Sequence, residues 1–153
     1  MLALTPADVD LLSSARTAVL ATVAPDGQPR LVPVCFALYD DGRLWIALDE
    51  KPKQDVDPRQ LARVRDVLTR PVVSVLVQRW SEDWSELAWL RLFGRATLVE
   101  PAAVAGGVVT SLRARYPQYL DHDLEARPML AIELDRAVRW TAADRGEPQA
   151  RDG

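Results

Sequence analysis

The 153 residues are 48% hydrophobic and 27% charged, a balance that predicts one globular domain with a continuous core and excludes a disordered or fibrous chain. With 19 basic against 22 acidic side chains the formal charge is -3, so no global field draws the protein to nucleic acid and any anion site must be local. No apolar run nears the ~20 residues of a membrane helix and no basic-then-apolar leader opens the chain, which predicts a cytoplasmic protein without membrane contact.

Thr5-Pro6-Ala7-Asp8 carries a capping residue, a proline at the first helical position and an acid at the third, predicting a short helix to about Ser14 that lids the fold. Residues 17–23 are β-branched and apolar, Pro25-Asp26-Gly27 is turn chemistry, and residues 29–38 form a second apolar run, so the pair reads as a hairpin. Asp40-Asp41-Gly42 turns into a third strand over 43–48. Asp57-Pro58 looks like a cap and first helical residue, and Leu61, Val64 and Leu68 recur at helical spacing to about Thr69. Residues 72–78 and 87–99 are strands four and five, with Gly94 where a barrel strand would bend. Pro101 is expected to open a helix through Arg115, weakened at Gly106-Gly107 by about 1 kcal/mol per glycine. Residues 129–134 and 137–140 supply the last strand or strands.

Six or seven mostly antiparallel strands, with a helix after the third and another after the fifth, predict a mainly β fold with helices, closed or split as a barrel. It forms a single domain over 1–141, and the polar, aperiodic residues 142–153 are expected to be a loose tail. Strands such as Leu31-Val32-Pro33-Val34-Cys35-Phe36 are apolar on consecutive residues, so both faces must be covered. The barrel interior covers one. A second copy is the simplest cover for the outer faces of strands 31–38 and 43–48, which predicts a homodimer.

Seventeen of the 19 basic residues are arginine, and the two lysines, Lys51 and Lys53, stand two positions apart in Asp49-Glu50-Lys51-Pro52-Lys53. A compact ammonium differs from a guanidinium in size and donor geometry, and at a strand end before a helix start the pair could hold a phosphate, helped by Arg59, Arg63 and Arg65. Equally, the arginines could form only the wet face of the helix. One cysteine, Cys35, and one histidine, His122, exclude an internal disulfide, supply too few soft ligands for structural zinc, and leave only His122 for a Cys-His or Ser-His pair. No metal site is expected.

The order Ala18-Val19-Leu20-Ala21-Thr22-Val23, Pro25-Asp26-Gly27-Gln28-Pro29, Val32-Pro33-Val34-Cys35-Phe36-Ala37, Asp49-Glu50-Lys51-Pro52-Lys53, Asp83-Trp84-Ser85 and Gly94-Arg95-Ala96 resembles the pyridoxamine 5'-phosphate oxidase-like split-barrel superfamily. The similarity spans about residues 5 to 140 and is strongest to its coenzyme F420-dependent branch. The opening hairpin is common to the superfamily; Pro-Val-Cys-Phe with Asp-Glu-Lys-Pro-Lys is the more specific pair. The resemblance implies an FMN-binding-type split barrel, homodimeric, with two cofactor sites at the subunit interface, each holding a flavin-like ring flat against strand backbone. Val34, Cys35 and Phe36 would line the ring, Ala47 and Asp49 would lie along it, and Lys51 and Lys53 would reach the side-chain phosphate. Trp84 and Trp89 would cover ring or substrate from the partner chain, or serve as ordinary core or interface packing.

The activity implied is hydride transfer between the deazaflavin F420 and a small organic substrate with an electron-poor double bond, chemistry that asks the protein for orientation and not for a nucleophile or metal. No catalytic residue is singled out; Tyr39, Arg79 and Ser81 are candidate proton donors, and Cys35 reads as ring packing. The fuller basic signature of the oxidases acting on pyridoxamine phosphate is absent, and His122 stands outside any evident haem-ligand motif. Two alternatives accompany this reading: an FMN-binding oxidoreductase of the same class, and a carrier that binds F420 or flavin without turnover.

Overall fold

The computed structural model describes residues 1–48, 57–144 and 146–153. Helix α1 (Pro6–Ser14) begins on the capping box: Thr5 Oγ1 accepts from the Asp8 N–H at 3.2 Å and Asp8 Oδ2 accepts from the Thr5 N–H at 2.9 Å. Its Leu11 and Leu12 close one end of the barrel core, as a lid should. Strands β1 (Ala18–Val23) and β2 (Pro29–Val34) pair antiparallel across a turn whose Gly27 takes φ +88°, a conformation side-chain-bearing residues rarely adopt.

The apolar run 29–38 is two strands rather than one. After β2 the chain crosses at Cys35 and Phe36 to β3 (Ala37–Leu38), which pairs with β4 (Leu44–Ala47). Strands β5 (Val72–Arg79), β6 (Ala88–Val99), β7 (Met129–Thr141) and β8 (Gln149–Asp152) complete the set. Hydrogen bonding runs β2-β1-β5-β6-β7-β4-β3, with β8 on β7. The two ends of that path are consecutive in the chain, so the sheet curls back on itself at residues 35 and 36.

The expected helix start at Asp57-Pro58 is a separate 3-10 turn (Pro58–Gln60) capped by Asp57; Leu61 is extended, and α2 (Ala62–Thr69) starts after it. Pro101 likewise opens only a 3-10 turn (Pro101–Ala103), and α3 (Gly106–Arg115) begins at the glycine pair expected to weaken it. At Gly107 the helix passes close to Tyr39, where a Cβ would stand 2.2 Å from the hydroxyl, while the space at Gly106 is open. The last strand is continuous, with Asp135 as an extra residue where register shifts opposite Phe93 and Gly94. Gly94 is obligatory there, because its Cβ would lie 2.1 Å from the Glu133 carbonyl oxygen. Gly94→Ala is therefore expected to cost about 1–3 kcal/mol, read as a lowered urea midpoint at unchanged slope; an unchanged midpoint would contradict the close approach.

The tail expected to be loose is ordered in part. Gln149–Asp152 pair with Arg136, Ala137, Val138 and Arg139 of β7, and Arg151 reaches the fully buried carboxylate of Asp8. Backbone ladder and ion pair together fasten a segment whose composition alone suggests a coil.

Two clusters form the core. Inward residues of every long strand, among them Leu20, Val75, Leu90, Leu92, Ile46 and Ile132, meet α1 and α2. On the outer face of β3, β4 and the first half of β7, Trp45, Ala47, Ala131 and Met129 pack against Val108, Val109 and Leu112 of α3. The second copy expected over the outer face of residues 43–48 is thus displaced by the chain's own helix: α3 covers the outer face of β4, and the barrel core covers the inner one. Among the described residues, the outer face of β2, β1, β5 and β6 has no such layer. Leu31 is 67% exposed there, and Val72 and Leu76 on β5 are exposed beside it.

Candidate functional site

The strip predicted to carry a ring is the crossing between β2 and β3. Phe36 is clamped: its N–H donates to the Tyr116 hydroxyl at 3.1 Å, and that hydroxyl has the carbonyls of Arg16 (2.9 Å) and Phe36 (3.1 Å) within donor reach. The Arg115 guanidinium lies over the Phe36 ring at 4.6 Å while its donors cap carbonyls at the end of α1. Val34, Phe36 and Ala47 turn their side chains into the core. With whole-residue exposures of 7%, 1% and 3%, these three positions offer little surface within one chain. Cys35 is half-buried and packs on the cluster that holds Ala47. The end of β4 is anchored by Arg127, whose Nε donates to the Leu48 carbonyl at 2.8 Å. Asp49, Lys51 and Lys53 lie outside the described residues.

The helper arginines differ in what they already hold. Arg59 is paired with Asp57 and Glu100. Arg63 is half-buried, and Arg65 is exposed. Beside Arg65, Asp66 is only 2% exposed and accepts from Thr22 Oγ1 at 2.7 Å and Arg30 Nε at 2.8 Å. Burial pushes the Asp66 carboxyl up, but the hydrogen bonds from Arg30 and Thr22 and the charges of Arg30 and Arg65 outweigh it and hold it below the ordinary value. A carboxyl lowered in the folded state contributes stability above its unfolded value, about 3.9, and loses it as pH falls through the folded one. Asp66→Asn is therefore expected to flatten the loss of stability on acidification below about pH 4, measured as the urea midpoint at pH 6 and pH 3; an equal acid loss in both proteins would count against it.

Trp84 and Trp89 do not meet the strip within one chain. Trp84, 70% exposed, rides the 3-10 turn Trp84–Glu86 at the β5–β6 tip. Trp89 is on the outer face of β6, three strands from β2, or about 14 Å at ordinary strand spacing. It stacks on Trp140 with centroids 6.5 Å apart, and Arg91 lies over it at 5.3 Å. Phe93 is flanked in the same way by Arg91 and Arg136. Reading 87–99 only as a strand overlooks this aromatic and arginine ladder, although Trp89, Arg91, Phe93 and Arg95 alternate with the buried Leu90 and Leu92 and so share the outer face.

Of the candidate proton donors, Arg79 donates to the Glu86 carbonyl at 3.1 Å and Ser81 to Glu86 Oε2 at 3.0 Å, both within the β5–β6 tip. Tyr39 is half-buried against Gly107, away from that tip. His122 sets its ring edge-on to Tyr119 at 5.8 Å. Among the described residues no group of three or more metal-ligating side chains gathers, and no helix is long and apolar enough to cross a membrane.

A curled antiparallel half-barrel with, among the described residues, three α-helices defines a split-barrel protein. The chain belongs to the pyridoxamine 5'-phosphate oxidase family, which it matches over residues 4–148. Among solved structures it is similar to a conserved hypothetical protein from Mycobacterium tuberculosis (24% identity, TM-score 0.71, covering 99% of this chain and 93% of that one). It is also similar to an F420 reductase (22%, TM-score 0.61, 84% and 93%) and to the haem storage protein HutZ from Vibrio cholerae (16%, TM-score 0.62, 87% and 89%). Comparison with curated proteins gives no match.

Proposed function

We propose that the protein is an F420-dependent oxidoreductase that moves a hydride between the deazaflavin and a small organic substrate with an electron-poor double bond. The observation that carries this reading is the pair Pro33-Val34-Cys35-Phe36 and Glu50-Lys51-Pro52-Lys53 in a chain that matches the family over residues 4–148. Between the covered Val34 and Phe36, the half-buried Cys35 is the accessible point of the strip. In this reading Val34, Cys35 and Phe36 line the ring, Ala47 and Asp49 lie along it, and Lys51 and Lys53 hold the phosphate. When bound, the deazaflavin supplies the hydride donor or acceptor; the chain supplies rigid placement, a dry floor and local positive charge. Incubating the protein with reduced F420 and 2-cyclohexenone, an electron-poor alkene, should give protein-dependent reoxidation of the cofactor. Binding without reoxidation by any such alkene would favour a carrier.

The same reading has the protein as a cytoplasmic homodimer, assembled through the uncovered outer face of β2, β1 and β5. Leu31, Val72 and Leu76 are exposed on that face, and Trp80 and Trp84 are exposed at the β5–β6 tip. A second copy would bring its Trp84 and Trp89 toward the strip that is out of their reach in one chain. Light scattering at micromolar concentration should give about twice the 17.0 kDa chain mass, and Leu31→Glu should shift it toward the monomer. A monomer in the wild type contradicts the assembly. FMN is the second reading, favoured by the family match itself.

A further inference from the structure

We propose that the notch between the β1–β2 turn and α2 is a binding site for a phosphate-type oxyanion, held by Arg30 and Arg65 with Asp66 as the buried group that aims Arg30. The notch has a volume of about 120 Å³ and is lined by Pro25, Arg30, Ala62, Arg65, Asp66 and Thr69. At roughly 30 Å³ per water that is room for about four waters, the size of a tetrahedral anion and far below the space a flavin ring needs.

Three features make it more than a pair of surface arginines. Asp66 is 2% exposed and engages Arg30 through Nε alone, at 2.8 Å. Among the described residues, the two terminal nitrogens of Arg30 and the whole guanidinium of Arg65 meet no hydrogen-bond acceptor. A guanidinium fixed at one edge offers its remaining fork in the geometry that pairs two parallel N–H groups with two anion oxygens. Fixing it beforehand removes part of the ordering cost of binding.

The local charge permits it. Arg30 faces Asp66 and the exposed Asp26 of the turn, the charge of Arg65 also acts on Asp66, and Arg70 Nη1 reaches the Ala24 carbonyl at 3.5 Å. Asp66 Oδ2 already accepts from both Arg30 and Thr22, and Asp26 Oδ1 accepts from the Gln28 N–H at 3.1 Å. An arriving anion thus meets donors at the mouth and, at the floor, a carboxylate already paired with Arg30. Arg59, one of the arginines the sequence suggests for an anion, takes no part, because Asp57 and Glu100 occupy it.

The test uses the whole chain and inorganic phosphate, exchanged for chloride at constant ionic strength, with melting temperature and the arginine Nε–Hε resonances as readouts. A saturable rise in melting temperature is expected, with shifts at Arg30 and Arg65. Arg65→Ala should weaken binding about tenfold, as should Ala62→Glu, which places a carboxylate at the mouth from an exposed helix position. Lys51→Ala, Lys53→Ala should leave phosphate binding here intact, so failure of the cofactor reading and failure of this one are separable. Phenyl phosphate distinguishes the source: tighter binding than phosphate indicates the phosphoryl group of a larger molecule, equal binding the free ion. A rise of equal size in Arg65→Ala and Ala62→Glu would be a general salt effect and would overturn the assignment, as would the absence of any shift at Arg30 and Arg65.

Discussion

Replacing Asp8 with alanine is expected to destabilise the protein by about 3–5 kcal/mol, the range for removing one partner of a buried ion pair. Asp8 is fully buried and answers two arginines: Arg139 Nε lies 3.3 Å from Oδ1, and Arg151 binds Oδ2. It also caps α1 through the Thr5 N–H. Its loss strands two largely covered guanidiniums, and Arg139 retains only Asp144 at 3.9 Å. Local and global effects should separate, because Arg151 belongs to β8. Hydrogen exchange at residues 149–152 should rise to the solvent rate in Asp8→Ala even where the barrel persists, while Asp8→Asn, which keeps a hydrogen-bonding oxygen, should lose less. An Asp8→Ala protein with a protected β8 and an unchanged urea midpoint would contradict this role.

The second large effect concerns the cofactor. Two charge-assisted contacts to a phosphate contribute roughly 1–3 kcal/mol each, so the double variant Lys51→Ala, Lys53→Ala is expected to bind F420 about 100-fold more weakly or worse. Lys53→Ala alone should cost about tenfold. The melting temperature should hardly move in either variant. Because the attraction is between charges near solvent, raising salt should weaken the wild type more than the double variant. Equal F420 affinity in wild type and double variant at low salt would put the phosphate elsewhere on the chain.

How much the sequence shows depends on how far apart the partners are. The capping box at Thr5 and Asp8, the turns at Gly27 and Gly42, and the strands flanking them are local events, and the residue pattern announces them. Gly94 is legible as a bend because few other reasons place glycine inside a long apolar strand, although the Glu133 carbonyl that forbids a side chain there is 39 residues away in the numbering. The ordered tail is not legible. Arg151 and Asp8 are 143 positions apart, and nothing near residue 151 suggests a strand.

The cover over β4 fails to show for the same reason. Leu44-Trp45-Ile46-Ala47 says only that both faces are buried, and a second copy and the chain's own α3 satisfy that pattern equally. At the candidate site, apolar residues at 34, 36 and 47 are legible, but the burial of Val34 and Phe36 in the barrel core and of Ala47 under α3 depends on the whole curled sheet. The Arg30 and Asp66 pair joins β2 to α2 across 36 positions, and the stacking of Trp140 on Trp89 depends on the β6–β7 register.

The proposed deazaflavin function is tested by a side-by-side fluorescence titration of F420 and FMN into purified protein at low salt. Saturable F420 binding at one site per chain is expected, with FMN bound more weakly. Tighter FMN binding, or no saturable F420 binding, would contradict it.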